Sequence, residues 1–532
     1  MRIRLLTDNF WSIGLFCSFV TGFIIIVSCL TKRRRRYFHL HRLVDDVHHL
    51  WPFDDYLIQP TLCNVCSSTL LAGFHCSSCG IYLHERCVRP ARRLYHCKHM
   101  TSNKQEQHQH QWTRGNLPLE SECVICHRPC GAEPRLCDYR CIWCQRIVHE
   151  SCMRALSTDC DLGQFRQLII PPNAVVSRTG NKQIVGYAHS VVERILPCGI
   201  EDWRPLLVIG NRKSGGANTD LVLNSFRTYL NSVQVIDIST IAPTSILEWC
   251  NSLPDVGFYI LVCGGDGTVN WILESIENTT SGLKPAVGIL PMGTGNDLAR
   301  ILQWGHGEDS AVDVSLFLKR LNTAKVVALD RWSVDICATA RHFGVATASA
   351  RNMRMSNYFS VGCDALVTLN FHRRRDKIPE FFASRFVNKL HYFHYGTVDT
   401  FLKECKDLQN NVILEMDGRV INNLPALEGI CILNIPSWGA GVRVWGSGDN
   451  IPVQQIDDGM VEVFGIYSSF HIAQMQVGLA DPFRIGQARR VKLTLKRRFP
   501  CQCDGEPFEE GPCIVDIQHF SQAKMLMNVS ST

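Results

Sequence analysis

Tyr259-Ile260-Leu261-Val262-Cys263 runs without a charge into Gly264-Gly265-Asp266-Gly267-Thr268-Val269-Asn270, and this stretch decides the fold. A short apolar run ending in glycine reads as a buried strand, the glycines as a loop, and a helix is expected from near Trp271. The same grammar appears on either side. Leu206 to Ile209 ends in Gly210-Asn211-Arg212-Lys213-Ser214-Gly215-Gly216, and Ala286 to Leu290 leads into Pro291-Met292-Gly293-Thr294-Gly295-Asn296-Asp297 and the helical Leu298 to Leu302. Repeated strand, loop and helix predict a Rossmann-like parallel α/β sheet that binds its ligand beyond the carboxyl ends of the strands.

Glycines let backbone N–H groups approach phosphate oxygens, and each following helix offers the positive end of its dipole to the same anion. The candidate phosphate-binding residues are therefore Asn211, Ser214, Gly215, Gly264, Gly265, Gly267, Thr268, Gly293, Thr294, Gly295 and Asn296. A Walker A sequence and the protein-kinase signature set are both absent, which disfavours those two classes. Asp266, at a strand end among glycines, is the first candidate catalytic carboxylate, placed either to hold a divalent cation against phosphate or to orient an attacking hydroxyl.

Upstream, the ligand types His110, Cys123, Cys126, Cys141, Cys144, His149, Cys152 and Cys160 follow gaps of twelve, two, fourteen, two, four, two and seven residues. Eight ligands suit two tetrahedral zinc sites. An earlier series repeats the pattern as His49, Cys63, Cys66, Cys76, Cys79, His84, Cys87 and Cys97, with His48 an alternative to His49. Both series resemble the C1 domain, whose sites interleave. The resemblance implies one zinc on His110, Cys141, Cys144 and Cys160 and another on Cys123, Cys126, His149 and Cys152, giving four structural ions over both modules. Ala72-Gly73 stands where lipid-binding C1 domains usually carry Gln-Gly, so lipid receptor and zinc-stapled spacer both stay open for these modules.

The glycine loops resemble the nucleotide site of the diacylglycerol, sphingosine and NAD kinase superfamily. Asp330-Arg331-Trp332, Asn357 to Gly362, Asp364-Ala365, Gly429 to Asn434, Asp481 to Gln487 and Asp504-Gly505-Glu506-Pro507 resemble the accessory half of eukaryotic diacylglycerol kinases. The resemblance implies an ATP- and Mg²⁺-dependent kinase making phosphatidic acid from diacylglycerol, with Glu506 as general base. Asp364 is offered either as a support for the metal or as a buried cap. The domain order is most similar to the epsilon type of that family, which implies a preference for arachidonoyl-type diacylglycerol. That trait is associated with a Leu, Arg, Leu, Gly series; Leu414, Arg419, Leu424 and Gly429 stand nearby, with a longer central gap. A sphingoid-base or ceramide kinase and a catalytically silent C1 adaptor are the alternatives.

With 532 residues, 45% of them hydrophobic and 20% charged, the chain has room for several cores, and its net charge of +6 gives little support for a nucleic-acid partner. Phe10 to Leu30 is uncharged and, as a helix, about 31 Å long, enough for a bilayer. Lys32 to Arg36 follow it, a basic run suited to anionic phospholipid headgroups and to a cytosolic flank. The expected architecture is multidomain, α/β followed by β. A membrane helix spans 10–30, a basic segment 32–47, C1 modules 48–98 and 110–160, a connector 161–201, a catalytic α/β domain 202–328 and a mostly β accessory domain 329–525. The anchor would hold the enzyme at the endoplasmic reticulum or plasma membrane with its catalytic domain in the cytosol. A reducing compartment also fits the metal-binding reading of the 26 cysteines. Oligomeric state is not legible.

Overall fold

The computed structural model describes residues 49–529 apart from 58, 102–107, 134, 178–191, 213–216, 280–281, 294, 308–311, 339–340, 343–344, 347–349, 378–404, 447 and 449–450. The chain forms two compact units. One holds the residues up to Cys97 with Gln111–Ile142 and Arg146–Ser157; the other holds Lys98–His110, Trp143–Gln145 and Thr158 onward.

In the first unit each cysteine-rich module is built on short strands, Phe53–Asp54, Gly73–Cys76 and Ile81–Leu83 in one, Trp112–Arg114, Tyr139–Cys141 and Ile147–Val148 in the other. Such small sheets bury too little apolar surface to stand alone, which is why the metal sites matter to the fold. Asn116 ties the modules together: its Oδ1 accepts from Leu62 N–H at 2.9 Å and its Nδ2 donates to Leu62 O at 2.8 Å.

The second unit opens with β1 (Leu206–Gly210), β2 (Val235–Asp237), β3 (Tyr259–Gly264) and β4 (Ala286–Pro291), parallel in the order β2-β1-β3-β4. Every residue of these strands is buried, as expected where helices cover both faces of a parallel sheet. The helices are α1 (Ala217–Tyr229), α2 (Pro243–Asn251), α3 (Asp266–Glu277), α4 (Asp297–Ile301) and α5 (Val314–Asn322). Gly210 pairs with Cys263 and Cys263 with Leu290, so all three glycine loops leave from one edge of the sheet.

The rest of the chain adds β5 (Lys325–Ala338), β6 (Ala350–Met355), β7 (Tyr358–Gly362), β8 (Val412–Met416), β9 (Gly429–Leu433), β10 (Val461–Ile466), β11 (Phe483–Ala488), β12 (Arg490–Leu495), β13 (Phe499–Cys503), β14 (Glu506–Glu510) and β15 (Cys513–Met527). β11-β10-β9-β7-β13-β14 form an antiparallel six-stranded sheet. β15 pairs with β5 along its whole length, with β12 in its first half, and in parallel with β4 at Val287↔Met525. Trp332, Val334, Phe359, Ile432, Val463, Val491, Leu493 and Val515 come from both sheets into one apolar core.

The final long strand joins the parallel strands of the α/β half to antiparallel strands of the β half in one sheet. One part of the expected architecture is corrected: the membrane helix is not upheld, since no helix among the described residues is long and apolar enough to cross a membrane. Cys363–Lys377 has 15 residues, short of the roughly 20 that a span needs. The apolar run 10–30 and the basic run after it lie outside the described residues.

Candidate active site

β3 delivers Gly264 and Gly265 to the start of α3, where Gly265 is the N-cap and Asp266 the first helical residue. Gly265 O accepts from the amides of Thr268 and Val269 at 3.0 and 3.1 Å. The amides of Asp266 and Gly267 precede any carbonyl the helix could offer them, so they remain for an anion. A Cβ on Gly264 would stand 2.9 Å from Thr268 Cβ, so the first turn closes only over a glycine.

The second glycine loop lies directly against the first. A Cβ on Gly293 would come within 2.7 Å of Gly265 Cα, and Met292 N–H donates to Gly264 O at 2.9 Å. Asp266 joins the two loops with both oxygens: Oδ2 accepts from Asp297 N–H at 3.0 Å and Oδ1 from Leu298 N–H at 3.1 Å. It thereby caps α4 from outside. Half-buried at the helix start, Asp266 is pushed up to about 6, first by burial and then by the Asp297 carboxylate, while the two amides oppose the shift.

Asn296, expected at phosphate, is turned inward instead. It is in the left-handed region at φ 53°, is almost fully buried, and its amide accepts from Gly293 N–H and donates to Gly293 O and His306 O. Its side chain shapes the loop and leaves phosphate contact to backbone. Asn211 follows β1 at the same sheet edge. Ser214, Gly215 and Thr294 lie outside the described residues.

Glu506 reaches this centre from the other end of the chain. It is exposed at the start of β14, and its Oε1 stands 3.6 Å from where a Cβ on Gly267 would be. Its turn is held by Asp504, whose carboxylate accepts from the amides of Ser356, Asn357 and Tyr358 at 2.7, 2.8 and 3.0 Å. Burial lifts Asp504 and those amides hold it down. Asp364 is buried and its Oδ2 accepts from Ser360 Oγ at 2.7 Å and from the Gln502 amide, the position of a cap inside the accessory half.

Asp297 was not singled out in the sequence, yet it fastens the second loop. Its carboxylate accepts from Ser437 Oγ and from the amides of Ala440 and Gly441. Asn270 was missed as well; its spacing of four from Asp266 on one helix face was the available signal.

The structure brings the cysteine and histidine ligands of the two modules together in groups. His49, Cys76, Cys79 and Cys97 converge, as do Cys63, Cys66, His84 and Cys87, and Cys123, Cys126, His149 and Cys152. His110, Cys144 and Cys160 do so too. Sulfur to Nδ1 distances are 3.4 Å for Cys79–His49, 3.4 Å for Cys66–His84, 3.3 Å for Cys126–His149 and 3.5 Å for Cys144–His110. Cys76 and Cys97 sulfurs are 3.8 Å apart. A tetrahedron with Zn–S near 2.3 Å and Zn–N near 2.0 Å has edges of about 3.5–3.8 Å, so these donors fit zinc. The outer nitrogens of His84 and His149 face the carbonyls of Thr69 and Pro129 at 3.2 and 3.0 Å, which leaves Nδ1 for the metal.

Comparison with known proteins follows the same division. Residues 205–329 match the Diacylglycerol kinase catalytic domain, 354–507 the Diacylglycerol kinase accessory domain, and 49–98 and 110–163 the Phorbol esters/diacylglycerol binding domain (C1 domain). The chain is 35% identical over 525 residues to "Probable diacylglycerol kinase 3" of Caenorhabditis elegans, with 91% of this chain and 64% of that protein covered. It is 31% identical to "Diacylglycerol kinase 2" of Arabidopsis thaliana, with 91% of this chain and 84% of that protein covered. A solved structure described as a diacylglycerol kinase from Bacillus anthracis aligns at a TM-score of 0.38 and 17% identity, over 61% of this chain and 97% of that one.

Proposed function

The chain belongs to the diacylglycerol kinase family and is a diacylglycerol kinase, and we propose that it moves the γ-phosphoryl group of ATP onto the free hydroxyl of 1,2-diacylglycerol to give phosphatidic acid. The observation carrying this reading is the fusion of two glycine loops, with Asp266 bonded across them and Glu506 beside Gly267. The first-turn amides of Asp266 and Gly267 receive the ATP phosphates, with Gly264, Gly265 and Gly295 shaping the loops around them. Mg²⁺, when bound, neutralises charge on the triphosphate. Asp266 is the residue to hold it, because each of its oxygens keeps a lone pair after accepting one amide.

Glu506 is exposed and bonded to no group that would compete for a hydroxyl proton among the described residues, which suits a general base. Positioning supplies most of the rate, since phosphoryl transfer asks little covalent chemistry of the protein.

The finer reading is an epsilon-type enzyme that prefers arachidonoyl-type diacylglycerol and acts in phosphoinositide turnover and diacylglycerol signalling. The series Leu414, Arg419, Leu424 and Gly429 in the accessory half supports the acyl preference. The substrate is a membrane lipid, so the site works at the cytosolic face of the endoplasmic reticulum or plasma membrane. The test is purified protein with labelled ATP, Mg²⁺ and diacylglycerols of differing chains. Phosphatidic acid is expected, fastest from the arachidonoyl lipid. Glu506→Gln should lower kcat by about a hundredfold or more with the KM for ATP little changed. Equal loss in both would remove Glu506 from proton transfer.

A further inference from the structure

Arg331 lies on β5 with none of its side chain exposed. The register between β5 and β15 shifts between Arg331 and Trp332, a bulge of the kind that re-aims a side chain. The guanidinium Nε donates to Glu277 Oε1 at 2.9 Å, and Nη1 donates to Asn270 Oδ1 and to Ser356 Oγ. Two of these three partners belong to α3. At 100° per residue, Asp266, Asn270 and Glu277 fall within about 40° of one another around the helix. One stripe of α3 is thus held at its start by the second glycine loop, through Asp266, and further along by Arg331.

The third partner leads to the other carboxylate. Ser356, between β6 and β7, donates its amide to Asp504 Oδ2 at 2.7 Å, and Asp504 opens the Asp504-Gly505-Glu506 turn. Asp504 and Gly505 both have positive φ, 48° and 85°, so this turn adopts a conformation that its neighbours must hold in place. Asn270 adds a cross-link by accepting from Ser356 Oγ at 3.2 Å and donating to Arg354 O at 3.2 Å. The Arg331–Glu277 pair is buried, and such pairs give little net stability once desolvation is counted. What the planar fork supplies is fixed geometry between three partners.

We propose that Arg331 is a positioning residue for phosphoryl transfer, holding α3 and its phosphate-binding first turn in register with the turn that presents Glu506. The proposal rests on the phosphotransfer reading of Asp266 and Glu506. Lysine keeps a positive charge and three donors, but they sit on one nitrogen and cannot reproduce the spacing by which Nε meets Glu277 while Nη1 meets Asn270 and Ser356.

Arg331→Lys should therefore lower kcat by about tenfold or more, with the KM for ATP within about twofold and the melting temperature close to wild type. Asn270→Ala and Ser356→Ala each cut one arm of the connection. Their double variant should lose less than the product of the single losses, because both act through one guanidinium. Hydrogen exchange gives a readout independent of substrate: the amides of Asp266 to Asn270 and of Ser356 to Tyr358 should exchange faster in folded Arg331→Lys. Wild-type turnover and exchange in that variant would overturn the proposal. So would a rate loss that only follows the folded fraction. A wild-type protein making no phosphatidic acid would instead sink the diacylglycerol reading, and the exchange data would still decide the role of Arg331.

Discussion

Replacing Gly293 with alanine adds one methyl group at the point where the two glycine loops meet. Its φ is outside the left-handed region, so the backbone alone would accept alanine and the effect is steric. The new Cβ would stand 2.7 Å from Gly265 Cα and 2.8 Å from Asn296 Oδ1. Carbon atoms in contact keep roughly 3.5–4.0 Å, so the loops must part by about 1 Å. Asp266 then loses its bonds to Asp297 and Leu298 N–H, now 3.0 and 3.1 Å, since both would move beyond hydrogen-bonding range. A displacement of about 1 Å in a positioning site costs on the order of a hundredfold in rate, or about 2.7 kcal/mol. The assay is initial-rate formation of phosphatidic acid from labelled ATP and diacylglycerol in mixed micelles. Gly288→Ala is the control, because its methyl would meet Leu526, Leu321 and Leu261 at 3.5–3.7 Å, ordinary contact, and should leave the rate within about twofold. If folded Gly293→Ala keeps kcat/KM within about threefold of wild type, close packing of the two loops is not what the reaction uses.

Acidity gives a second check. Asp266 is raised from 3.8 to about 6, so the folded chain binds this proton more tightly than the unfolded one. The stability it contributes is complete below pH 3.8 and is lost as pH rises through about 6. Activity runs the other way: kcat/KM should show an acid limb near 6 that moves lower as Mg²⁺ is raised, and a flat profile there would exclude an ionised Asp266 from the mechanism. Elemental analysis of the purified chain should return four zinc ions, and chelation should abolish the folded signal of both modules; two ions or fewer would contradict the paired quartets. Lys98 Nζ donates to the carbonyls of Arg227, Thr228 and Leu230 at 3.3, 3.0 and 3.0 Å, capping the end of α1, and sits 4.5 Å from the Trp143 ring centroid. Lys98→Met should cost about 2–4 kcal/mol and lower the melting temperature of the second unit by about 2–5 °C, whereas a change under about 1 °C would show that water replaces the ammonium without loss.

The parallel strands were legible because each is a short apolar run closed by glycine, and nothing but a covered sheet accepts Leu206 to Ile209 or Tyr259 to Cys263. The zinc quartets were legible because ligand spacing is itself the constraint. Asn296 was misread for a local reason: a glycine-rich loop advertises phosphate binding, but whether a polar side chain in it faces the ligand or its own backbone depends on φ, here 53°. The roles of Asp297 and Asp504 depend on partners far along the chain, Ala440 and Gly441 for one and Ser356 to Tyr358 for the other. No periodicity records such pairings.

That the α/β half and the β half share a strand was not legible for a related reason. Alternation in Val491-Lys492-Leu493-Thr494-Leu495 marks a half-buried strand, and its burial follows that alternation, but alternation says nothing about which sheet a strand joins. β15 joins both, beginning antiparallel to β12 and ending parallel to β4. At that end Trp304 Nε1 donates to Leu526 O at 2.6 Å, and Asn528 N–H donates to Leu302 O at 3.0 Å. The last strand therefore closes the edge of the nucleotide sheet that would otherwise present unpaired groups beside β4. Glu506 opens β14, the strand directly before β15, so the carboxylate comes from the same C-terminal stretch that closes this edge. The phosphate cradle and the carboxylate beside it consequently form together, and a fragment ending near residue 328 would carry the loops with neither the neighbouring strand nor the base.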